Sequence, residues 1–202
     1  MRVLVACEFS GTVRDAFGAL GHDATSCDLL PTARPGKHYQ GDVFDIINDG
    51  WDLMIAHPPC THLAVSGAMH FARKVADGSQ QAALEFVEQL FAAPIKKKAI
   101  ENPVSIISSR IKKPSQIIQP WQFGHAERKT TCLWLEGLPL LTPTNNVQAE
   151  MRAKPPNRQN PLYQLPPSPD RWMLRSKTYQ GIADAMAAQW GTSSPVTPPL
   201  KD

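Results

Sequence analysis

The sequence predicts an α/β protein with a mostly parallel sheet, helices on both faces of the sheet and a small irregular C-terminal lobe. Short apolar runs alternate with segments of helical periodicity over the first half of the chain, which is typical of βαβ units. Two distinctive triplets, residues 58–60 and 101–103, directly follow apolar runs, where parallel strands would end. Residues 138–169 are rich in proline, asparagine and glutamine and show little periodicity, which predicts the irregular lobe.

The elements can be placed in order along the chain. A buried strand is predicted over residues 2–6, followed by a helix over residues 12–20 that Gly21 ends. A second helix is predicted over residues 79–93, with Ser79 as its N-cap. Further strands are predicted over residues 22–27, 53–56, 97–100 and 131–135, and a last helix over residues 181–190.

The composition excludes several classes of protein. No apolar stretch approaches the ~20 residues that a membrane-spanning helix requires. The N-terminus lacks the charged start and small-residue cleavage site of a signal peptide, so we expect a cytoplasmic protein without a membrane partner. The four cysteines are widely spaced and form no CxxC pair, which indicates reduced thiols and no metal site.

Charge is unevenly distributed, although the net charge is only +3. Residues 1–60 carry four Lys/Arg and eight Asp/Glu, a net charge of −4, whereas the remainder carries seventeen and ten, a net charge of +7. Between residues 152 and 177, Asp170 is the one acid among six basic residues. This asymmetry is typical of a cofactor lobe beside a lobe that faces a polyanion. Plain solvation of the surface explains it equally well.

Loops after successive predicted strands favour a nucleoside cofactor. Gly11 allows a ligand to approach the backbone closely, and the helix N-terminus beyond it favours an anionic group. Asp28, at the end of the second strand, is placed to accept hydrogen bonds from a ribose, and Asp42 is placed to accept one from an adenine amine. In the alternative interpretation Gly11 only forms a turn and both acids are simply exposed.

Cys60 and Glu101 are the candidate catalytic pair. Two prolines fix the backbone before Cys60 and so orient its side chain, and nearby cations or a helix N-terminus would favour the nucleophilic thiolate. Glu101 stands at the end of another strand, where its carboxyl group can donate a proton. The alternatives are a buried thiol in a tight turn and a solvated glutamate beside a run of lysines.

These motifs resemble those of the DNA cytosine-5 methyltransferases, particularly the short phage and prophage members. The resemblance implies a Rossmann-like methyltransferase fold, which for a phage protein would act in the bacterial host cytoplasm. Residues 9–11 are similar to the family's Phe-x-Gly cofactor loop. By this resemblance S-adenosylmethionine is bound by Phe9, Ser10, Gly11, Asp28, Asp42 and Pro59.

The same resemblance assigns the catalytic residues. Pro59-Cys60 matches the family's Pro-Cys, and Glu101-Asn102 matches the Glu-Asn that faces cytosine N3. It implies that the Cys60 thiolate adds to C6 of cytosine, that Glu101 protonates or hydrogen-bonds N3, and that C5 then takes the methyl group. No metal is required. Asn102, Arg128 and Lys129 are the implied substrate-binding residues.

The chain also departs from the family pattern. Val13 stands where a glycine is usual, and Glu127-x-Lys129-x-Thr131 replaces Gln-x-Arg-x-Arg, with Arg128 one residue out of phase. The resemblance divides the chain into a catalytic core (1–140), a reduced and irregular substrate-recognition region (141–175), a helix packing back on the core (176–191) and a flexible tail (192–202). So small a recognition region predicts low sequence specificity, or a substrate smaller than duplex DNA.

Three alternatives remain open from the sequence. Residues 57–60, His-Pro-Pro-Cys, are superficially similar to the loop of exocyclic-amine methyltransferases, although cysteine cannot stack on a base as an aromatic residue does. The C5 chemistry could instead act on a cytosine nucleotide rather than on DNA. The altered segment at Glu127, Lys129 and Thr131 is also compatible with a catalytically inactive protein that binds cofactor or DNA as a decoy.

Overall fold

The computed structural model describes residues 1–192, so the predicted flexible tail lies outside the described residues except for Thr192. The described chain is an α/β structure built on one seven-stranded sheet. The strands are β1 Arg2–Ala6, β2 Asp23–Asp28, β3 His38–Gln40, β4 Leu53–Ala56, β5 Lys97–Pro103, β6 Gln116–Ile118 and β7 Thr131–Glu136. The helices are α1 Thr12–Ala19, α2 Phe71–Ala76, α3 Ser79–Ala92, α4 Ile107–Arg110, α5 Gln148–Ala153, α6 Arg171–Ser176 and α7 Gln180–Trp190.

The order of the strands in the described sheet is β3-β2-β1-β4-β5-β7-β6. Strands β1 to β5 pair in parallel, whereas β7 runs antiparallel to both β5 and β6. The chain moves outward from β1 to β3 and then crosses back to β4 on the other side of β1. Strand order therefore reverses between β1 and β4, which is the position where open α/β sheets bind their ligands.

The two faces of the sheet bury two separate cores, because successive residues of a strand point to opposite faces. Val3 and Val5 of β1 face the core that α1 and α7 cover, where Trp190 is 1% exposed. Leu4 of β1 faces the other core, which α3 covers with Leu84, Val87 and Leu90. The predicted arrangement, a mostly parallel sheet with helices on both faces, is confirmed.

The predicted elements agree with the structure except in five respects. Helices α2 and α4 were not predicted. Strand β5 continues to Pro103, so Glu101 lies inside the strand rather than after it. Ser79 is not the N-cap of α3; Gly78 occupies that position with a left-handed backbone, φ 76°. The short strands β3 and β6 were not predicted, because three residues carry too little periodicity. Residues 141–175 contain α5 and the start of α6 but no strand of the sheet.

Helix α7 packs closely against the segment that follows β6. A Cβ atom on Gly181 would lie 1.9 Å from the carbonyl oxygen of Phe123. The backbone N–H of Gly181 also donates to Nε2 of His125 over 3.0 Å. Glycine is therefore required there, and this contact brings residues 123–131 beside the start of α7.

Candidate functional site

The candidate site lies at the carboxyl ends of β1, β2, β4 and β5. Cys7 and Glu8 follow β1, Asp28 ends β2, His57 follows β4, and Glu101 lies near the end of β5. A larger groove of about 640 Å³ lies elsewhere, along α1 and the start of β2, and none of the predicted site residues line it. The carboxyl edge is the better candidate because the titratable side chains that could act as nucleophile, acid or base lie there.

The loop that carries Cys60 is fixed on several sides. The Cys60 carbonyl oxygen accepts from the N–H groups of Leu63 and Ala64 at 3.0 and 2.9 Å, which closes a tight turn. Lys74, whose residue is 5% exposed, donates from Nζ to the Thr61 carbonyl oxygen over 2.5 Å. Asn102 donates from its amide to the Pro58 carbonyl oxygen over 2.9 Å. The thiol is therefore held on a rigid loop.

Asn102 serves this loop rather than an open surface. The residue is 1% exposed, and its Nδ2 is occupied by Pro58. Its Oδ1 is buried and has no partner within residues 1–192. The hydrogen bond from Asn102 to Pro58 links the Glu-Asn pair to the Pro-Pro-Cys triplet, so the asparagine helps to hold the loop that carries Cys60. A direct contact of Asn102 with substrate stays a prediction.

Glu101 forms a buried pair with His57, which the sequence did not predict. Nδ1 of His57 lies 3.0 Å from Oε2 of Glu101, and the two side chains are 8% and 14% exposed. Burial raises the pKa of Glu101, but the hydrogen bond from His57 and the charge of Lys129 outweigh it and hold this pKa below its usual range. Because an ionised carboxylate only accepts hydrogen bonds, His57 carries its proton on Nδ1.

Cys60 is close enough to Glu101 for the carboxylate to affect the pKa of the thiol. Burial and then the Glu101 carboxylate raise the pKa of the Cys60 thiol, while Lys129 and Arg175 oppose this. Nearby cations were predicted to favour the thiolate. The cations are present, but in the free protein burial and Glu101 outweigh them, so the thiol form is favoured. The Glu101 carboxylate thus lies near the Cys60 thiol, and the action of the two groups as a catalytic pair stays a prediction.

The segment that departs from the family pattern forms a wall beside Glu101. Lys129 donates from Nζ to the carbonyl oxygen of Lys177 over 3.3 Å and lies over the ring of Tyr179. Glu127 accepts a hydrogen bond of 2.5 Å from the Tyr179 hydroxyl, which together with burial raises the pKa of Tyr179. Arg128 is exposed. Thus Lys129 belongs to the site, whereas no hydrogen bond or ion pair of the Arg128 side chain within residues 1–192 places it there.

The N-terminus of α1 is not free to bind an anion, so that prediction is wrong. The Glu8 carboxylate, on a residue 4% exposed, accepts from the N–H groups of Val13 at 2.7 Å and Arg14 at 3.2 Å. Ser10 Oγ donates to Glu8 over 3.1 Å and accepts from the N–H of Thr12. The protein's own carboxylate therefore fills the place that a phosphate or carboxylate ligand would take.

A sharp turn after β1 brings Glu8 into this position. Cys7 adopts a left-handed backbone with φ 58°, which non-glycine residues rarely do. Gly11, with φ 71°, is the N-cap of α1, and a Cβ atom there would meet the Arg14 guanidinium at 2.5 Å. Phe9, Ser10 and Gly11 are all buried. Gly11 thus meets a structural requirement, and contact of this loop with a cofactor stays a prediction.

Asp28 and Asp42, the two aspartates predicted to bind the cofactor, differ in their burial and in their hydrogen bonds. Asp28 is partly buried, and one of its oxygens accepts from the N–H of Leu30 over 3.0 Å. Burial raises the pKa of Asp28. Asp42 is exposed and caps a short 3₁₀ turn by accepting from the N–H of Phe44 over 3.0 Å. Each carboxylate retains accepting capacity, and both lie near Cys7, since their charges contribute to raising the pKa of its thiol.

The cavity beside Glu101 is small. It has a volume of about 10 Å³, which is room for one water molecule. Its walls are formed by Lys129, Thr131, Thr178, Tyr179, Ile182 and Met186. A pyrimidine ring in this place would require the Thr178–Tyr179 wall to move outward.

Within residues 1–192, no three His, Cys, Asp or Glu side chains are grouped to hold a metal ion. None of the helices in the described range has the length and apolar character needed to cross a membrane. The chain matches no protein-family model and no curated protein. Its function must therefore be inferred from the residues and their geometry.

Proposed function

We propose that the protein is an S-adenosylmethionine-dependent methyltransferase that methylates cytosine at C5 through a covalent bond between Cys60 and C6. The observation that carries this proposal is that the Cys60 loop and the Glu101 strand lie side by side near the sheet's switch point, since β4 pairs with β5 and Asn102 donates to the Pro58 carbonyl oxygen. A nucleophilic sulfur and a carboxyl group that can share a proton with N3 are the two functions that addition to a pyrimidine needs. The resemblance of Pro59-Cys60 and Glu101-Asn102 to the family motifs supports the same chemistry.

The charge of the carboxyl edge supports this cofactor. Glu8 occupies the N-terminus of α1, and Asp28 and Asp42 add two further carboxylates nearby. A dinucleotide would place its phosphates on a free helix N-terminus, which this site does not offer. S-adenosylmethionine carries a positive sulfonium group and no phosphate, so the acidic edge suits it. Asp28 would accept from its ribose hydroxyls, and the Phe9–Gly11 loop would lie along it.

The protein's residues would act in the following order. Cys60 gives its proton to solvent and its sulfur bonds to C6, which moves the C5–C6 electron pair toward C5. Glu101 shares a proton with N3 and so neutralises the charge that reaches the ring. S-adenosylmethionine, when bound, supplies the methyl group to C5. The C5 proton then passes to solvent, and the C6–sulfur bond breaks to release Cys60.

The His57–Glu101 pair has a definite part in this reaction. Cytosine N3 and the Glu101 carboxylate are both acceptors, so one proton must enter between them when the base binds. His57 donates to Oε2 and leaves Oε1 as the oxygen for N3. With its proton on Nδ1, His57 keeps Nε2 as an acceptor, and this buried atom has no hydrogen-bond partner within residues 1–192.

A trapping experiment tests the proposal. We expect the protein, with S-adenosylmethionine and an oligodeoxynucleotide containing 5-fluorocytosine, to form a covalent adduct, because fluorine at C5 cannot leave as the proton does. Peptide mass spectrometry should locate the adduct on Cys60. Absence of any adduct under conditions in which S-adenosylmethionine binds would reject the covalent route. An adduct on fluorinated dCMP, but not on DNA, would assign the smaller substrate.

Replacing Asp28 by alanine tests the cofactor site separately. We expect affinity for S-adenosylmethionine to fall about 10- to 100-fold, the effect of losing hydrogen bonds to a charged group. Isothermal titration calorimetry measures this directly. Asp49→Ala is the matched control, since Asp49 is exposed and its carbonyl oxygen accepts from Arg2 at the start of β1, the opposite edge of the sheet. If Asp28→Ala binds as tightly as the control, Asp28 does not contact the cofactor.

A further inference from the structure

The surface of α6 lies beside the candidate site. Trp172 contacts Phe9 of the β1 loop, with ring centroids 6.0 Å apart. The charge of Arg175 acts on Cys60, and the carbonyl oxygen of Lys177 accepts from Lys129. Trp172 near the start of α6 and the Lys177 carbonyl group directly after its end therefore lie against residues of the proposed site. Whatever α6 binds must therefore approach the reacting base.

The residues of this helix are arranged for contact with a partner. No residue of α6 is buried. Trp172 is 53% exposed and Leu174 is 44% exposed, although a tryptophan normally loses most of its surface to the core. An exposed aromatic side chain amid basic residues is the composition of surfaces that bind single-stranded nucleic acid. The α6 surface, as we define it, consists of Arg171, Trp172, Leu174, Arg175 and Lys177.

The charge of the region is complementary to a polyanion. Residues 141–177 carry six Lys/Arg and two Asp/Glu, a net charge of +4. By contrast, the carboxyl ends of β1 and β2 carry acids. An anionic chain is therefore attracted to the α6 surface and repelled from the proposed cofactor site, which separates the two ligands.

The geometry points to single-stranded DNA as the partner: we propose that a base next to the target cytosine stacks on Trp172 while Arg175 and Lys177 contact phosphates. Reading duplex DNA requires a helix or a β-ribbon that enters the major groove. Helices α5 and α6 have six residues each, about 9 Å of helix, and residues 141–177 contain no strand of the sheet. A single strand needs no such element, because its bases are already unpaired. This inference rests on the proposed function for the identity of the target base.

Fluorescence anisotropy tests the proposal without requiring turnover. The probes are a labelled thymine 12-mer with one central cytosine, the same sequence as a duplex, and dCMP as competitor. We expect the single strand to bind at least about 10-fold more tightly than the duplex and far more tightly than dCMP. Trp172→Ala should weaken single-strand binding about 5- to 150-fold, the effect of one lost stacked base, and Trp172→Phe should retain most of it.

Two controls match these variants. Leu20→Ala shortens another exposed apolar side chain, 54% exposed, at the end of α1, and should leave binding unchanged. Arg175→Ala should reduce the slope of log affinity against log salt by about 0.7, the value for one phosphate contact with a single strand. Lys113→Ala removes an exposed charge elsewhere and should not change the slope. Circular dichroism checks that each variant is folded, which we expect because α6 buries no residue.

The outcomes separate this proposal from the proposed function. Duplex binding as tight as single-strand binding, or Trp172→Ala behaving like Leu20→Ala, would overturn the single-strand surface. Affinity for dCMP equal to that for the oligonucleotide would do the same, because a neighbouring base would then add nothing. Single-strand binding that depends on Trp172 without any trapped adduct would support the α6 surface and reject the cytosine chemistry. A covalent adduct that Trp172→Ala forms as well as the unmodified protein would support the cytosine chemistry and reject the α6 surface.

Discussion

Replacing Cys60 by serine should abolish methyl transfer and adduct formation while leaving S-adenosylmethionine affinity unchanged. A serine hydroxyl is a far weaker acid than a thiol and does not supply the anion that adds to C6. The loop itself should be retained, because the contacts that fix it involve the Cys60 backbone, Lys74 and Asn102 rather than the sulfur. Radiolabelled methyl transfer and calorimetry measure the two properties.

Cys132→Ala is the matched control for this variant. Cys132 is 2% exposed in β7, and both burial and Glu101 raise the pKa of its thiol. It therefore shares the electrostatic surroundings of Cys60 but lies on the antiparallel neighbour of β5 rather than on the proline loop. We expect it to retain methyl transfer. Activity that persists in Cys60→Ser, or disappears in Cys132→Ala alone, would assign the nucleophile elsewhere.

Glu101→Gln should have opposite effects on two reactions of Cys60. Methyl transfer should fall about 10²- to 10⁴-fold, since the group that shares a proton with cytosine N3 is lost. Alkylation of Cys60 by iodoacetamide at neutral pH should instead become several-fold faster. The Glu101 carboxylate raises the pKa of the Cys60 thiol, and a neutral glutamine removes that repulsion. The thiol pKa then falls, and more thiolate is present at a given pH.

Mass spectrometry of alkylated peptides over a pH series measures the second effect, with Cys60→Ser as the blank that identifies the peptide. His57→Asn is the matched variant on the other side of the pair. Its amide can still donate to Glu101 but does not titrate, so it should change Cys60 alkylation much less than Glu101→Gln does. A slower or unchanged alkylation rate in Glu101→Gln would show that the carboxylate does not act on the thiol.

The His57–Glu101 pair shows what kind of feature sequence reasoning missed. His57 was seen as part of a Pro-Pro-Cys loop, and its side chain had no assigned partner. In the fold, β4 and β5 pair in parallel, with Ala56 opposite Ile100, so the next residue of each strand, His57 and Glu101, also become neighbours. A signal was available in the sequence. His57 directly follows one predicted strand, and Glu101 directly follows the predicted strand that pairs with it.

Glu8 is the second such feature. Its carboxylate reaches the N–H groups of Val13 and Arg14 only because Cys7 turns the chain through a left-handed conformation. A cysteine in that conformation is not expected from its residue type, whereas glycine would be. The sequence therefore predicted a free helix N-terminus where the protein supplies its own anion. Because Glu8 occupies the start of α1, the proposed cofactor site favours a positively charged group there rather than an anion.

Local pattern determined five of the seven strands, the longer helices and the positions of Cys60, Glu101 and Asp28 at one edge of the sheet. Apolar periodicity and proline act on neighbouring residues, so they can be read directly from the chain. Tertiary structure alone decided that His57 binds Glu101, that Glu8 fills the start of α1, and that Lys129 and Tyr179 wall the space beside Glu101. His57 and Glu101 are 44 positions apart, and the hydrogen bonds of the wall, Lys129 to Lys177 and Tyr179 to Glu127, join residues 48 and 52 positions apart. They depend on strand order, backbone turns and side-chain conformation, which no local pattern encodes.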